Sequence, residues 1–151
     1  MARSFKVRSW VLCDEVRFET NGKHILIGVY PGALRLRKPP PVSVSTLFVW
    51  LQLELTKVDY GEYELRIVDP REALVARFRG KAKFKSADEP ATLICSTGPL
   101  TIPDYGIYRI EFGMETPPRP LGSFAARPFE EAPLSVSGLQ RHRASPGLPT
   151  H

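Results

Sequence analysis

Ser45-Thr46-Leu47-Phe48-Val49-Trp50-Leu51-Gln52-Leu53-Glu54-Leu55 is the stretch whose reading decides the fold. Leu47, Val49, Leu51, Leu53 and Leu55 fall at every second position, the period of an extended strand with one apolar face. Phe48 and Trp50 stand on the other face, with Gln52 and Glu54 beside them. A helix would scatter these side chains around its axis. The strand is therefore central, with its leucines turned to a core.

The same period runs outward in both directions. Upstream, Trp10, Leu12, Val16 and Phe18 alternate with Glu15, Arg17 and Glu19, as in a half-buried strand. Asn21-Gly22 is a hairpin turn, and the strand after it carries Ile25, Ile27 and Val29 on one face. Leu34, among Arg35, Arg37 and Lys38, extends that strand as an edge until Pro39-Pro40-Pro41 stops pairing. Downstream, Asp59-Tyr60-Gly61 turns into 62–68, with Tyr63, Leu65 and Ile67 inward and Glu62, Glu64 and Arg66 outward. Asp69-Pro70 leads to 73–84, and shorter strands follow at 91–96, 100–102, 107–112 and 121–129. No segment of ten or more residues keeps a helical period.

Length and composition bound the rest. The chain has 151 residues, 42% apolar and 25% charged, which suits one globular domain with a real core. Seven of its fifteen prolines fall in the last 36 residues, and residues 130–151, with too few large apolar side chains to offset their ordering entropy, read as a Pro-rich tail that stays disordered unless a partner orders it. The net charge of +5 is too modest to specify nucleic acid by itself. The N-terminus has no signal-peptide apolar region, and no run approaches the ~18 apolar residues of a membrane span. These features predict a protein of the cytoplasm, or of a particle assembled there. Cys13 and Cys95 each lie in apolar surroundings and are expected as free thiols.

Asp104-Tyr105-Gly106-Ile107-Tyr108 reads D-x-G-x-Y and looks like the tyrosine corner of immunoglobulin-like sandwiches. Asp104, Gly106 and Tyr108 form the corner, with the phenol expected to bond back to upstream backbone. The same spelling at Asp59-Tyr60-Gly61-Glu62-Tyr63 is read as good turn chemistry used twice. The expected fold is all-β, an immunoglobulin-like antiparallel β-sandwich of about seven to nine strands over residues 1–129. A further set, Cys13-Asp14-Glu15-Val16-Arg17, Gly22-Lys23, Leu26-Ile27-Gly28-Val29-Tyr30, Trp50 and Gly106-Ile107-Tyr108, resembles a family of small uncharacterised bacterial and phage proteins over residues 5–129. That resemblance implies a β-sandwich and no activity.

Catalytic machinery is not spelled in the chain. Of three histidines, His142 and His151 lie in the tail, leaving His24 beside the hairpin turn, where a solvated or hydrogen-bonded role fits. No zinc spacing, nucleophile elbow, phosphate loop or dinucleotide fingerprint occurs. No catalytic residue, metal site or cofactor is assigned, and the chain is read as a non-enzyme. Asp14 falls in the apolar register between Leu12 and Val16, where a carboxylate is costly. A local bulge that turns it outward is the favoured account.

Two surface patterns remain. Phe48 and Trp50 form a candidate interface, an exposed aromatic pair suited to a protein partner or a sugar ring. Arg77, Arg79, Lys81, Lys83 and Lys85 form a basic ridge ~25–28 Å long at ~3.3 Å per residue. Edge protection is the favoured reading of the ridge, ahead of nucleic acid, because Phe78 and Phe84 lie opposite the cations. The function expected is protein–protein interaction, self-association or assembly, as an accessory part of a bacterial or phage structure. A glycan or small-molecule site on the Trp50 face ranks second, and polyanion binding third.

Overall fold

The computed structural model describes residues 5–56, 60–84 and 89–130. It is all-β, with no helix among the described residues. The strands are β1 (Phe5–Phe18), β2 (His24–Val29), β3 (Ala33–Leu36), β4 (Val42–Val44), β5 (Phe48–Leu55), β6 (Tyr60–Val68), β7 (Leu74–Lys83), β8 (Ala91–Ser96), β9 (Leu100–Ile102), β10 (Gly106–Met114) and β11 (Arg119–Pro128). Three of these eleven, β3, β4 and β9, are pieces of three or four residues. Eleven strands exceed the expected seven to nine: 100–102 was among those expected, whereas β3 was read as an extension of the strand before it and β4 was not foreseen.

One sheet has the order β2-β1-β5-β8, a second β3-β11-β10-β6-β7, and β4 pairs with β9 in a small ribbon. The alternation in β5 explains why the two larger sheets meet. Leu47, Val49, Leu51, Leu53 and Leu55 share one buried cluster with Leu65 and Ile67 of β6 and with Tyr108, Ile110 and Phe112 of β10. Trp10 on β1 reaches across to Gly122 of β11, where a Cβ would lie 2.2 Å from the indole Cζ2. Only a glycine leaves room for that ring.

Tyr108 is fully buried, and its hydroxyl donates to the Asp104 carbonyl at 2.8 Å and accepts from the Asp104 N–H at 3.3 Å. The backward bond predicted for Asp104, Gly106 and Tyr108 thus forms across the turn. Gly106 has φ +131, and a Cβ there would come within 2.8 Å of the Pro70 ring. Tyr63 differs: it is half-buried and stacks on Phe78 at 6.0 Å, and its hydroxyl has no hydrogen bond among the described residues.

Several expectations are corrected. The Leu34 segment does not extend β2. Pro31-Gly32, with Gly32 at φ +107, redirects the chain, and β3 pairs in parallel with β11 in the other sheet. Leu34 and Leu36 are buried there, which explains the crossing: their side chains reach a core that an edge position on β2 would deny them. Cys13 and Cys95 are free and buried, as read from their apolar surroundings. β5 separates them, with Cys13 opposite Phe48 and Cys95 opposite Val49, so they lie on opposite faces of the sheet. Burial pushes the Cys95 thiol up to about 12 and raises that of Cys13. Of the tail, Glu130 is exposed and residues 131–151 lie outside the described residues.

Tyr108→Phe is expected to cost about 1–2 kcal/mol in a denaturant titration, the range for a lost buried hydrogen bond, and Tyr63→Phe clearly less. Equal costs would contradict the difference in bonding. Gly122→Ala forces the Trp10 ring to move and should cost about 1–3 kcal/mol, as overpacking does. A neutral result would show that Trp10 has free space.

Candidate interaction surfaces

The basic ridge lies on β7, the outermost strand of its sheet. Arg77, Arg79, Lys81 and Lys83 are exposed, while Phe78, Gly80 and Ala82 between them are half-buried. Lys85 lies outside the described residues. The register with β6 places Glu62 opposite Lys81 and Glu64 opposite Arg79. Lys81 Nζ is 3.4 Å from Glu62, and Arg77 Nε is 2.9 Å and Arg79 Nε 3.7 Å from Glu64. Arg66 Nε donates to Glu64 at 2.8 Å. That hydrogen bond, with the charges of Arg79 and Arg77, holds the Glu64 carboxyl below the usual carboxylate range. Three of the four described ridge cations, Arg77, Arg79 and Lys81, thus make cross-strand ion pairs. Pairs this accessible add little stability each.

A groove of 590 Å³ opens beside the same strands, lined by Tyr63, Arg79, Gly80, Gly113, Glu115 and Thr116 among others. The Glu62 N–H donates to the Glu115 carboxylate at 2.6 Å, so that acid is engaged in holding the backbone. Glu64, kept ionised by three guanidinium groups, is a poor proton donor near neutral pH. No group of three His, Cys, Asp or Glu side chains able to hold a metal ion occurs among the described residues.

Phe48 and Trp50 are not openly exposed. Both are half-buried, and Trp50 Nε1 donates to His24 Nδ1 at 3.1 Å. Trp50 is opposite Val11 on β1, whereas His24 is opposite Phe18, seven residues further along the same strand. Straight strands would separate those levels by ~23 Å. The β1–β2 hairpin must therefore fold back over the outer face of β5. The bend lies at Asp14 and Gly28. Gly28 has φ +68, and a Cβ there would lie 2.2 Å from an Asp14 carboxylate oxygen. Asp14 is exposed and accepts a hydrogen bond from the Tyr30 hydroxyl. Desolvation first, and that bond second, push the Tyr30 phenol up to about 12.

The bend reassigns the faces of the hairpin. Beyond it, Val16, His24 and Leu26 are half-buried on the side that carries His24 to Trp50. Phe18, expected with the core residues, is 71% exposed at the hairpin end and meets His24 edge-on at 4.9 Å. The other side carries Glu15 opposite Ile27 and Arg17 opposite Ile25. In that row Ile25 is 42% exposed; Val29, on the sheet side of the bend and opposite Cys13, is 51% exposed on Phe48's face. Sequence reasoning missed this outward row. Its signal was the register set by the Asn21-Gly22 turn, which pairs the isoleucines with β1's charged side.

These features define the chain as an all-β protein built from several sheets. It belongs to DUF6941, a family of unknown function, whose model matches residues 8–118, short of the 5–129 span read from the sequence. No curated protein matches it.

His24→Ala removes the acceptor for Trp50 and should cost about 0.5–1.5 kcal/mol. In amide-exchange NMR the Trp50 indole N–H should lose protection while that of Trp10 keeps its own. Unchanged Trp50 protection would mean the hairpin is held down by other contacts.

Proposed function

We propose that this chain is a non-catalytic protein-association module acting through the free edge of β2, which receives an extended strand from another polypeptide. The observation that carries the reading is a contrast between two edges. β7 lines its edge with Arg77, Arg79, Lys81 and Lys83, which deter strand addition. β2 is the outermost strand of the other sheet, has no Asp, Glu, Lys or Arg, and exposes Ile25 and Val29. An uncharged, β-branched edge is the surface that strand-adding partners use.

The domain is read as an immunoglobulin-like sandwich, supported by the Tyr108 bond to Asp104 and the shared core of the two sheets. The resemblance noted from the sequence directs the role toward accessory or structural work in a bacterial or phage assembly, in the cytoplasm or in a particle built there. The aromatic pair Phe48 and Trp50 serves this reading indirectly, as the seat that positions the hairpin. A glycan platform is less favoured, because His24 occupies Trp50's polar atom. Polyanion binding at the ridge is less favoured because Glu62 and Glu64 sit among its cations.

A photo-reactive phenylalanine analogue placed at position 25, and separately at position 79, tests the reading in cells. Protein adducts at 25 and none at 79 are expected. Nucleic-acid adducts at 79, or no protein adduct at 25, would overturn it.

A further inference from the structure

We infer that the strand received by β2 is β2 of a second copy, paired antiparallel about a two-fold axis beside Leu26; this rests on the edge reading above.

Backbone phase comes first. The Glu19 N–H donates to the Lys23 carbonyl at 2.9 Å, closing the hairpin with a hydrogen-bonded pair. In an antiparallel ladder such pairs recur at every second residue. The register therefore makes Arg17–Ile25 and Glu15–Ile27 bonded pairs as well. The N–H and C=O groups of Ile25 and Ile27 point to β1, and those of His24 and Leu26 point to the open edge. Past Gly28 the phase changes, with the Tyr30 N–H bonded to the Leu12 carbonyl.

A two-fold pairing that uses the open groups sets Leu26 opposite Leu26 of the second copy. Ile25 then lies opposite Ile27, twice, on the exposed face. These are non-hydrogen-bonded positions, where side chains approach most closely and β-branched pairs stabilise a sheet. The flanking charges agree. Each cross-sheet row runs from Arg17 through Ile25 of one copy to Ile27 and Glu15 of the other, so opposite signs end every row.

Self-pairing excludes charged edges, because a two-fold sets each side chain against its own strand. On β7 that would bring cations against cations, and β3 carries the exposed Arg35. β8 is uncharged, but none of its residues is exposed. β2 alone among the four outer strands of the two large sheets both has exposed residues and carries no Lys, Arg, Asp or Glu. A six-residue edge covers less than the ~1,000 Å² of a stable interface, so the dimer is weak and concentration-dependent.

Sedimentation velocity of the full chain over a concentration series tests the pairing. A monomer–dimer equilibrium is expected, weakened at least tenfold in Ile25→Lys and in Leu26→Pro. The proline removes an outward donor while leaving the β1 ladder intact. Register is read by mixing Ile25→Cys and Ile27→Cys proteins under mild oxidation, with Cys13 and Cys95 shielded by burial. The mixture should form a disulfide dimer faster than either variant alone. A dimer that survives Ile25→Lys, or faster linking of Ile27→Cys with itself, would overturn the proposal. A monomer at every concentration would also overturn it, and protein adducts from position 25 would then leave the edge reading standing by itself.

Discussion

The apolar row of Leu47 and β5 is the constraint from which the other elements take their places. Val49, Leu51 and Leu53 have no accessible surface, and Leu47 and Leu55 have almost none. Burying such a side chain is worth about 1.5–3 kcal/mol relative to leaving it in water. Five of them together match the whole net stability of a domain this size. β5 can hold that position only if strands flank it on both sides and a second sheet covers its leucines. β1 and β8 supply the flanks, and β6 and β10 supply the cover. The Trp10–Gly122 approach and the buried Tyr108 fix how the cover sits.

Once the inner face is satisfied, the outer face of β5 presents a different problem. Phe48 and Trp50 are too large and apolar to leave open on the sheet, and they project where no second sheet lies. The chain answers with its own hairpin. Gly28 takes a positive φ and leaves room for Asp14 where a Cβ would collide with it, Asp14 accepts the Tyr30 hydroxyl, and His24 meets the one polar atom of the indole. Covering the aromatics turns Ile25 and Ile27 of β2 to the far side. An apolar edge is thus a by-product of shielding an apolar face, whereas the outermost strand of the other sheet, β7, exposes Arg77, Arg79, Lys81 and Lys83.

Much of this was legible in the chain because period two reports which residues share a side. That sufficed for β5, β6 and β10, for the Tyr108 closure, and for the placement of Cys13 and Cys95 in apolar surroundings. Periodicity cannot say what lies on either side after a strand bends. Phe18 and Trp10 share a phase in the sequence, yet the bend at Asp14 sends one to the surface and the other to the core. The crossing of β3 to a parallel pairing with β11 was equally hidden, because its cause is the position of a distant strand. At the ridge the cations were plain, but their partners Glu62 and Glu64 emerged only once the β6–β7 register was known.

β1 spans fourteen residues and serves two environments that meet at Cys13, which is paired with Phe48 on one side and Val29 on the other. Residues before it are paired with β5 inside the main sheet, whereas those after it are paired with β2, with Tyr30 bonded to Asp14 and His24 to Trp50. Opening the hairpin breaks none of the ladder between residues 5 and 12 and β5. The strand thus joins two cooperative units of unequal strength, and a pull applied to β2 would peel the hairpin away one pair at a time until it reached Cys13, where the load passes to the whole core.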